Sequence, residues 1–558
     1  MLIKMMCAVY KKKGVKILMK KNNHYPYYEM PEIGDFRQFV DFMKESYGEK
    51  TAFVYEVGKV EKTASYTKFT NDINALGTYF RSIGFENEKI AVYGENSYEW
   101  IVTYFAAIVS GNVIVPIDKE ISGEEVKNLV NDCQAKALVY SAAKKEKIDG
   151  AKAEMKTVER FFEISELEGL FEKGAEIIAS GDDSILKLKQ DVDKLCALIY
   201  TSGTTGNPKG VMLCQKNLMF DMCNSCRNLL EPPNTVVVLP LNHTFGMMAG
   251  VLCQVYAGYK TYINNNLRNV LRDINNLKPQ HISVVPLFAD TFYKGIWKNA
   301  KKSGKDKILK VLIKVSNGLR KVGIDLRRVF FKSVIDAFGG NLEMLIVGGA
   351  PLDLKVAKGF EDLGITVIGG YGITECSPII STDRNKDYKF GSAGLPIPGV
   401  EVMVENPDEN GEGELLVKGP IVMLGYYNNP EATAEVFEGE WFRTGDYGRV
   451  DEDGFIFITG RKKNIIITPN GKNVYPEEIE AVIQKVDGIG EVVVYEDEKL
   501  ICAEIYTETP ENKEQIKADV FALNKTLPSY KQVQKVVFRD TEFEKTTTKK
   551  IKRFAIKK

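Results

Sequence analysis

Short runs of β-branched and other apolar residues recur along most of this chain, each entering a turn and then a helical pattern. That alternation limits the possible folds more than any other feature of the sequence. Ile90–Tyr93 leads into a helical stretch over Tyr98–Ser110, and Ala197–Tyr200, Val236–Leu239, Ile282–Val285, Met344–Val347 and Thr366–Ile368 repeat the theme. Such a cadence predicts an α/β architecture, with parallel sheets covered by helices. In such sheets, ligands sit at the loops leaving the carboxyl ends of the strands. From about Gly391 to Gly460 the texture changes to short strands (Glu414–Val417, Phe455–Ile458) punctuated by Gly, Pro, Asn and Asp, which predicts a small antiparallel β-barrel. After Arg461 come a hairpin-like segment, a helix starting near Pro476-Glu477, strands at Val492–Tyr495 and Leu500–Ile505, and another helix. The reading is therefore a large N-terminal part, residues 1–460, followed by a small α+β domain, residues 461–558.

A length of 558 residues is too great for one compact core, in keeping with that division. The 75 Lys and Arg balance the 75 Asp and Glu, so the whole chain has no electrostatic bias toward nucleic acid or an anionic membrane, and no nucleic-acid partner is expected. No apolar run is long enough to cross a bilayer. The N-terminal stretch is basic, lysines interrupt its apolar part, and it lacks a cleavage site, so a signal peptide is not expected; Met19 is an alternative start. Nine irregularly spaced cysteines suit a reducing, cytoplasmic setting. Cys223 and Cys226 make one CxxC, which reads as two thiols on a helix rather than as a zinc or redox site. Residues 298–332 are rich in Lys and Arg, with Ile308, Val311, Leu312, Val315 and Leu319 at helical spacing. That segment reads as a solvated helix face, with peripheral contact to the inner face of a membrane as the alternative.

The chemistry concentrates first in YTSGTTGNPKG, Tyr200–Gly210, directly after a strand. Binding a polyphosphate needs backbone N–H groups that approach oxygens closely, hydroxyl donors and a cation; the glycines, the Ser and Thr hydroxyls and Lys209 provide all three. It is not a Walker A loop, because Pro208 interrupts the pattern and Val211 stands where Ser or Thr is required.

This string resembles the phosphate-loop signature of the adenylate-forming enzymes: acyl-CoA synthetases, beetle luciferases and nonribosomal-peptide adenylation domains. The resemblance continues in order through PLNHTFGM (240–247), GGAPL (348–352), GYGITECSP (370–378), WFRTGDYGRVDEDGF (441–455), TGRKKNIIITPNGKNVYPEEIE (459–480) and KTTTKKIKR (545–553). It implies an enzyme that uses ATP and Mg²⁺ to make an acyl-AMP and then transfers the acyl group to a thiol, with a mobile C-terminal domain.

The resemblance also implies roles for individual residues. Thr201, Ser202, Gly203, Thr204, Thr205, Gly206 and Lys209 would cradle the phosphates. Thr201 and Glu375 would hold Mg²⁺, a hard cation suited to a sparse oxygen site completed by substrate phosphates. Tyr371 would stack on adenine, with Gly349 and Ala350 passing along the base and Gly372 and Thr374 in the same nucleotide motif. Asp446 would accept both ribose hydroxyls, since one carboxylate offers two oxygens. Arg461 would reach the sugar from the domain junction, Lys463 would be the hinge, Gly471 would border the pantetheine tunnel of CoA, and His243, counted with Glu375 and Lys550 as catalytic, would sit in the acyl-site motif. Lys550 would stabilise charge developing at the α-phosphorus. Glu544 and Lys549 depart from the usual motif around it, so Lys549 is its competitor.

Around His243 the string Asn242–Met247 has no carboxylate to pair an amino acid's ammonium, which argues against amino-acid substrates. The string VVPLFADTFYKGI, Val284–Ile296, and the basic stretch after it resemble long-chain acyl-CoA synthetases. A long- or medium-chain fatty acid is therefore the expected substrate and CoA the expected acceptor. An acyl-carrier protein is the alternative acceptor, and a non-catalytic nucleotide-binding module is the remaining alternative.

Overall fold

The computed structural model describes residues 24–201, 208–468, 473–546 and 551–556. Two large sheets dominate the first four-fifths of the chain. One has seven strands in the order Gly425–Tyr426, Lys209–Cys214, Leu195–Thr201, Val113–Ile117, Lys89–Tyr93, Ala137–Tyr140 and Arg160–Glu163. Its five last-named strands run parallel, whereas Leu195–Thr201 and Lys209–Cys214 form an antiparallel hairpin. The other has nine strands, with Thr366–Gly372, Met344–Val347, His281–Val284, Thr235–Val237, Thr261–Ile263 and Thr51–Val57 parallel at its centre. Antiparallel strands close both of its ends.

Strands such as Val113–Ile117 and Met344–Val347 are buried at every position, as continuous apolar runs covered on both faces should be. The helix Tyr98–Val109 is almost wholly buried, starts on Ser97, whose side chain accepts from Trp100 N–H, and lies in the largest core beside Phe36, Phe39 and Phe69. Strand Met344–Val347 matches its sequence expectation, while Thr235–Val237 stops two residues earlier than expected. There Leu239 O accepts from the Asn96 amide and Leu241 N–H donates back to it, so a side chain takes over from the ladder before Pro240.

The texture change after Gly391 corresponds to a five-stranded antiparallel sheet in which Trp441–Val450 pairs with Gly413–Lys418, Phe437–Glu438 and Ile456–Arg461. Beyond it, the short hairpin Ile466–Ile467/Asn473–Val474, the helices Pro476–Ile483 and Lys513–Asn524, and a three-stranded sheet enclose their own core, from Ile466 to Val533. Contacts link it to the preceding sheet: Lys462 Nζ lies 2.6 Å from Glu414, and the Tyr447 and Tyr475 rings meet with centroids 6.1 Å apart.

Among the described residues no helix is long and apolar enough to cross a membrane. Cys223 and Cys226 both lie on the helix Gln215–Asn228 as free thiols, Cys223 buried as a helical core thiol would be and Cys226 only half-buried.

Candidate active site

The strand Leu195–Thr201 ends at the mouth of the hairpin, where Thr201 pairs in register with Lys209 and its hydroxyl donates to Lys209 O at 3.4 Å. The tip of this turn, with Ser202, Gly203, Thr204, Thr205 and Gly206, lies outside the described residues. What is described fixes its two ends, and Tyr427 N–H ties the second to the next strand through Gly210 O at 2.7 Å.

That next strand, Gly425–Tyr426, brings in a residue the sequence reading assigned no role. The Tyr426 ring lies under the Lys209 ammonium, 4.7 Å from ring centroid to Nζ, and its hydroxyl donates to Glu375 Oε1 at 2.9 Å. One buried side chain therefore connects the phosphate-loop lysine with the expected metal carboxylate. The glycine-aromatic pair before Asn429-Pro430 was the only signal in the sequence.

Glu375 sits in a single helical turn, Thr374–Cys376, just past the strand Thr366–Gly372. Three bonds hold this turn. Ile373 N–H donates to Pro378 O at 3.0 Å, the buried Ser377 hydroxyl to Ile421 O at 2.7 Å, and Met423 N–H to Glu375 O at 2.9 Å. Below it, Asp221 accepts from Ile379 N–H at 2.9 Å and from the Ser225 hydroxyl at 2.9 Å; full burial pushes its carboxyl up to about 8. Gly372 has no alternative here, because a Cβ would stand 1.9 Å from Pro378 O.

Tyr371 and Asp446 meet directly. The phenol donates to Asp446 Oδ2 at 2.8 Å, while Arg461 Nε lies 2.7 Å from Oδ1, across the antiparallel register of Asp446 with Arg461. Asp446 is itself oriented by its own N–H, which donates to Thr444 Oγ1 at 3.0 Å. Burial, with the Asp446 charge beside it, raises the Tyr371 phenol well above its ordinary range, so it remains a hydrogen-bond donor at neutral pH. With two oxygens, one carboxylate suits the two hydroxyls of a ribose.

Lys463 belongs to the same electrostatic neighbourhood. Burial and the nearby positive charges of Arg461 and Lys209 lower its pKa, while Asp446 and Glu375 act the other way. Gly349, with φ at +86°, and Ala350 are exposed just beyond the carboxyl end of Met344–Val347. Phe245 packs against the adjacent Gly348, within 3.0 Å of where a Cβ would be, which brings the His243 motif to the same strand ends. His243 stands at the start of the short helix Thr244–Met247 without a capping bond from its side chain, and a Cβ on Gly246 would lie 2.1 Å from Pro240 O. A cavity of about 10 Å³, lined in part by Leu241, Asn242, Thr244 and Met247, lies behind this helix. It has room for a water and no more, so an acyl chain taken up there would have to displace side chains that line it. Gly471 and Lys550 lie outside the described residues.

The arrangement offers one buried carboxylate flanked by a phenol and a guanidinium, a second carboxylate coupled to a lysine, and strand ends stripped of side chains. It suits a nucleoside triphosphate. The Thr201 hydroxyl and the Glu375 carboxylate are hard oxygen donors, which fits Mg²⁺ carried mostly by phosphates.

Comparison with known proteins agrees with that geometry. The family model described as "AMP-binding enzyme" matches residues 41–427. The chain belongs to the AMP-binding enzyme family. A long-chain-fatty-acid–CoA ligase of Mycobacterium bovis is 31% identical over 468 residues, covering 79% of this chain and 76% of the relative. A chloroplastic long-chain-fatty-acid–[acyl-carrier-protein] ligase of Arabidopsis thaliana is 28% identical, covering 88% and 78%. Among solved structures, an anthranilate CoA ligase in complex with anthranoyl-AMP superposes with a TM-score of 0.76 at 22% identity, over 96% of this chain and 98% of that one. At that identity the match speaks for the adenylate-forming fold.

Proposed function

We propose that this AMP-binding enzyme is an acyl-CoA ligase that activates a long- or medium-chain fatty acid as acyl-AMP and passes the acyl group to the thiol of CoA. The observation that carries the reading is the chain of contacts Lys209–Tyr426–Glu375 facing the Tyr371–Asp446–Arg461 cluster, because each group matches a part of a bound Mg·ATP.

In the first step a carboxylate oxygen attacks the α-phosphorus. The new P–O bond forms as the bond to the β-phosphate oxygen breaks, and pyrophosphate leaves. Thr201, Lys209 and the turn between them hold the phosphates. Asp446 positions the ribose with Arg461 beside it, Tyr371, Gly349, Ala350, Gly372 and Thr374 border the base, and His243 borders the acyl group. Thr201 and Glu375 would hold Mg²⁺, whose charge offsets that of the triphosphate. Lys550 supplies charge where it develops in the transition state. In the second step the thiol attacks the acyl carbonyl and AMP departs with its phosphate oxygen. Residues 1–460 form the part that binds ATP and acid. Residues 461–558, with Lys463 as hinge, exchange Lys550 for Gly471 and the pantetheine path between the steps. The self-contained core from Ile466 to Val533 supports treating that part as a separate unit.

The fatty-acid assignment draws on the similarity to the mycobacterial ligase and on the absence of a carboxylate in Asn242–Met247. A carrier-protein acceptor is the second reading, favoured by the similarity to the plant ligase. The test is acid-dependent ATP–pyrophosphate exchange over a panel of acids, followed by mass spectrometry of thioesters formed with CoA and with holo-acyl-carrier protein in parallel. Long-chain acids are expected to drive exchange and CoA to accept the acyl group. Absence of acid-dependent exchange would overturn the reading, and thioester formed only on the carrier protein would replace CoA as acceptor.

A further inference from the structure

The helix Asp306–Arg320 buries Leu309 and Ser316, and this leaves Ile308, Val311 and Val315 facing outward, 59%, 59% and 48% exposed. Their spacing places them in one stripe along the helix. Lys307, Lys310 and Lys314 form a second exposed stripe beside it. The segment that follows continues the pattern, with Val322 72%, Ile324 47% and Val329 69% exposed. Exposed aliphatic residues are ordinary when single, but a run of six within about two dozen residues is a surface with a use.

Charge identifies the occupant. Residues 298–332 hold twelve Lys and Arg against two Asp, in a chain that is neutral overall, so the remainder of the protein carries a net charge of −10. Within this segment Arg320 pairs with Glu361, Arg327 with Asp325 and Glu361, and Lys332 with Asp336. Lys307, Lys310 and Lys314 form no ion pair among the described residues. A convex aliphatic stripe beside a basic one is complementary to an anionic bilayer surface: the apolar side chains enter the headgroup boundary and the lysines remain at the phosphates. The same bilayer repels the acidic remainder of the protein, which fixes one orientation.

We propose that the helix Asp306–Arg320 and the segment through Val329 dock this protein on an anionic lipid surface. The docking itself does not depend on the ligase reading. Its consequence does: a fatty acid dissolved in that bilayer would reach the enzyme without crossing water.

The test is cosedimentation of the full-length protein with vesicles of phosphatidylcholine alone and with about 30% phosphatidylglycerol, at low and high salt. The unaltered protein is expected to partition at least about tenfold more strongly onto the anionic vesicles, and to lose that preference at high salt. Val311→Glu/Val315→Glu should abolish binding, and Lys307→Glu/Lys310→Glu/Lys314→Glu should remove the preference for anionic lipid. All these positions are exposed, so thermal melting and pyrophosphate exchange with a water-soluble acid should match the parent. Equal binding to both vesicle types, or variants that bind like the parent, would overturn the proposal. So would saturable binding of holo-acyl-carrier protein that these substitutions abolish while vesicle binding persists. Loss of exchange in the unaltered protein would instead count against the ligase reading, independently of the vesicle result.

Discussion

Tyr426→Phe removes one oxygen and leaves everything else in place, which makes it the sharpest probe of the site. The ring is 7% exposed, and its face toward the Lys209 ammonium is unchanged by the substitution. What disappears is the 2.9 Å bond to Glu375 Oε1. A hydrogen bond to a charged acceptor contributes about 1.5–3 kcal/mol, and 1.4 kcal/mol is a factor of ten, so the carboxylate should lose roughly ten- to hundredfold in its hold on a metal-bound phosphate. The assay is acid-dependent pyrophosphate exchange titrated with Mg²⁺ at fixed ATP, beside transfer of the acyl group from supplied acyl-AMP to CoA. Exchange should need at least about tenfold more Mg²⁺ or fall by that factor, while transfer from acyl-AMP, which has no triphosphate to hold, should match the parent. Tyr426→Leu should cut exchange further, because it also removes the ring face from Lys209. Exchange in Tyr426→Phe with the parent's rate and Mg²⁺ dependence would refute the idea that this hydroxyl organises Glu375. Equal losses in both half-reactions would make the hydroxyl a structural bond only.

Other expectations follow from single contacts. Lys550→Ala should abolish carboxylate-dependent pyrophosphate exchange while leaving acyl transfer from acyl-AMP to thiol, and Lys549→Ala should not; unimpaired exchange in Lys550→Ala would reject the assignment. Gly372→Ala puts a Cβ 1.9 Å from Pro378 O and must displace the turn that carries Glu375, so urea midpoints should show about 1–3 kcal/mol of lost stability together with lost exchange. Asp221 is pushed up to about 8 by burial, against an ordinary 3.8, so the folded state holds a proton that the unfolded state releases. Its contribution to stability is therefore full below pH 4 and is lost as pH rises toward 8. Urea midpoints of Asp221→Asn and the parent should shift in the variant's favour between pH 5 and pH 8, and a pH-independent gap would contradict the buried neutral carboxyl.

The sequence made the backbone setting of the candidate nucleotide-binding residues legible, because each lies in a short string whose neighbours set its backbone. Strand Met344–Val347 ends at Gly348 and Gly349, and strand Thr366–Gly372 ends in the Glu375 turn, so local pattern alone places both at strand ends. Contacts between distant parts of the chain were not legible. Tyr426 reaches Glu375 across 51 residues, and Asp221 reaches Ile379 across 158, with nothing in either local string to suggest the partner. The pairing depends on strand Gly425–Tyr426 lying beside Lys209–Cys214, and two-residue strands carry almost no periodic signal.

The basic segment shows the same division from the other side. Helical spacing in the sequence grouped Ile308, Val311, Leu312, Val315 and Leu319 on one face, yet spacing cannot say which face the protein covers, and the fold splits the group: Leu312 packs against the core while Ile308, Val311 and Val315 are exposed. The fully covered positions are Leu309 and Ser316, so Ile308, Val311 and Val315 point outward and their stripe belongs to whatever lies outside. An amphipathic helix buried through its apolar face has its charges in water. Here the apolar stripe and the lysines share the exposed side, and packing within this chain does not explain that arrangement. A surface that presents aliphatic depth and anionic charge side by side does explain it.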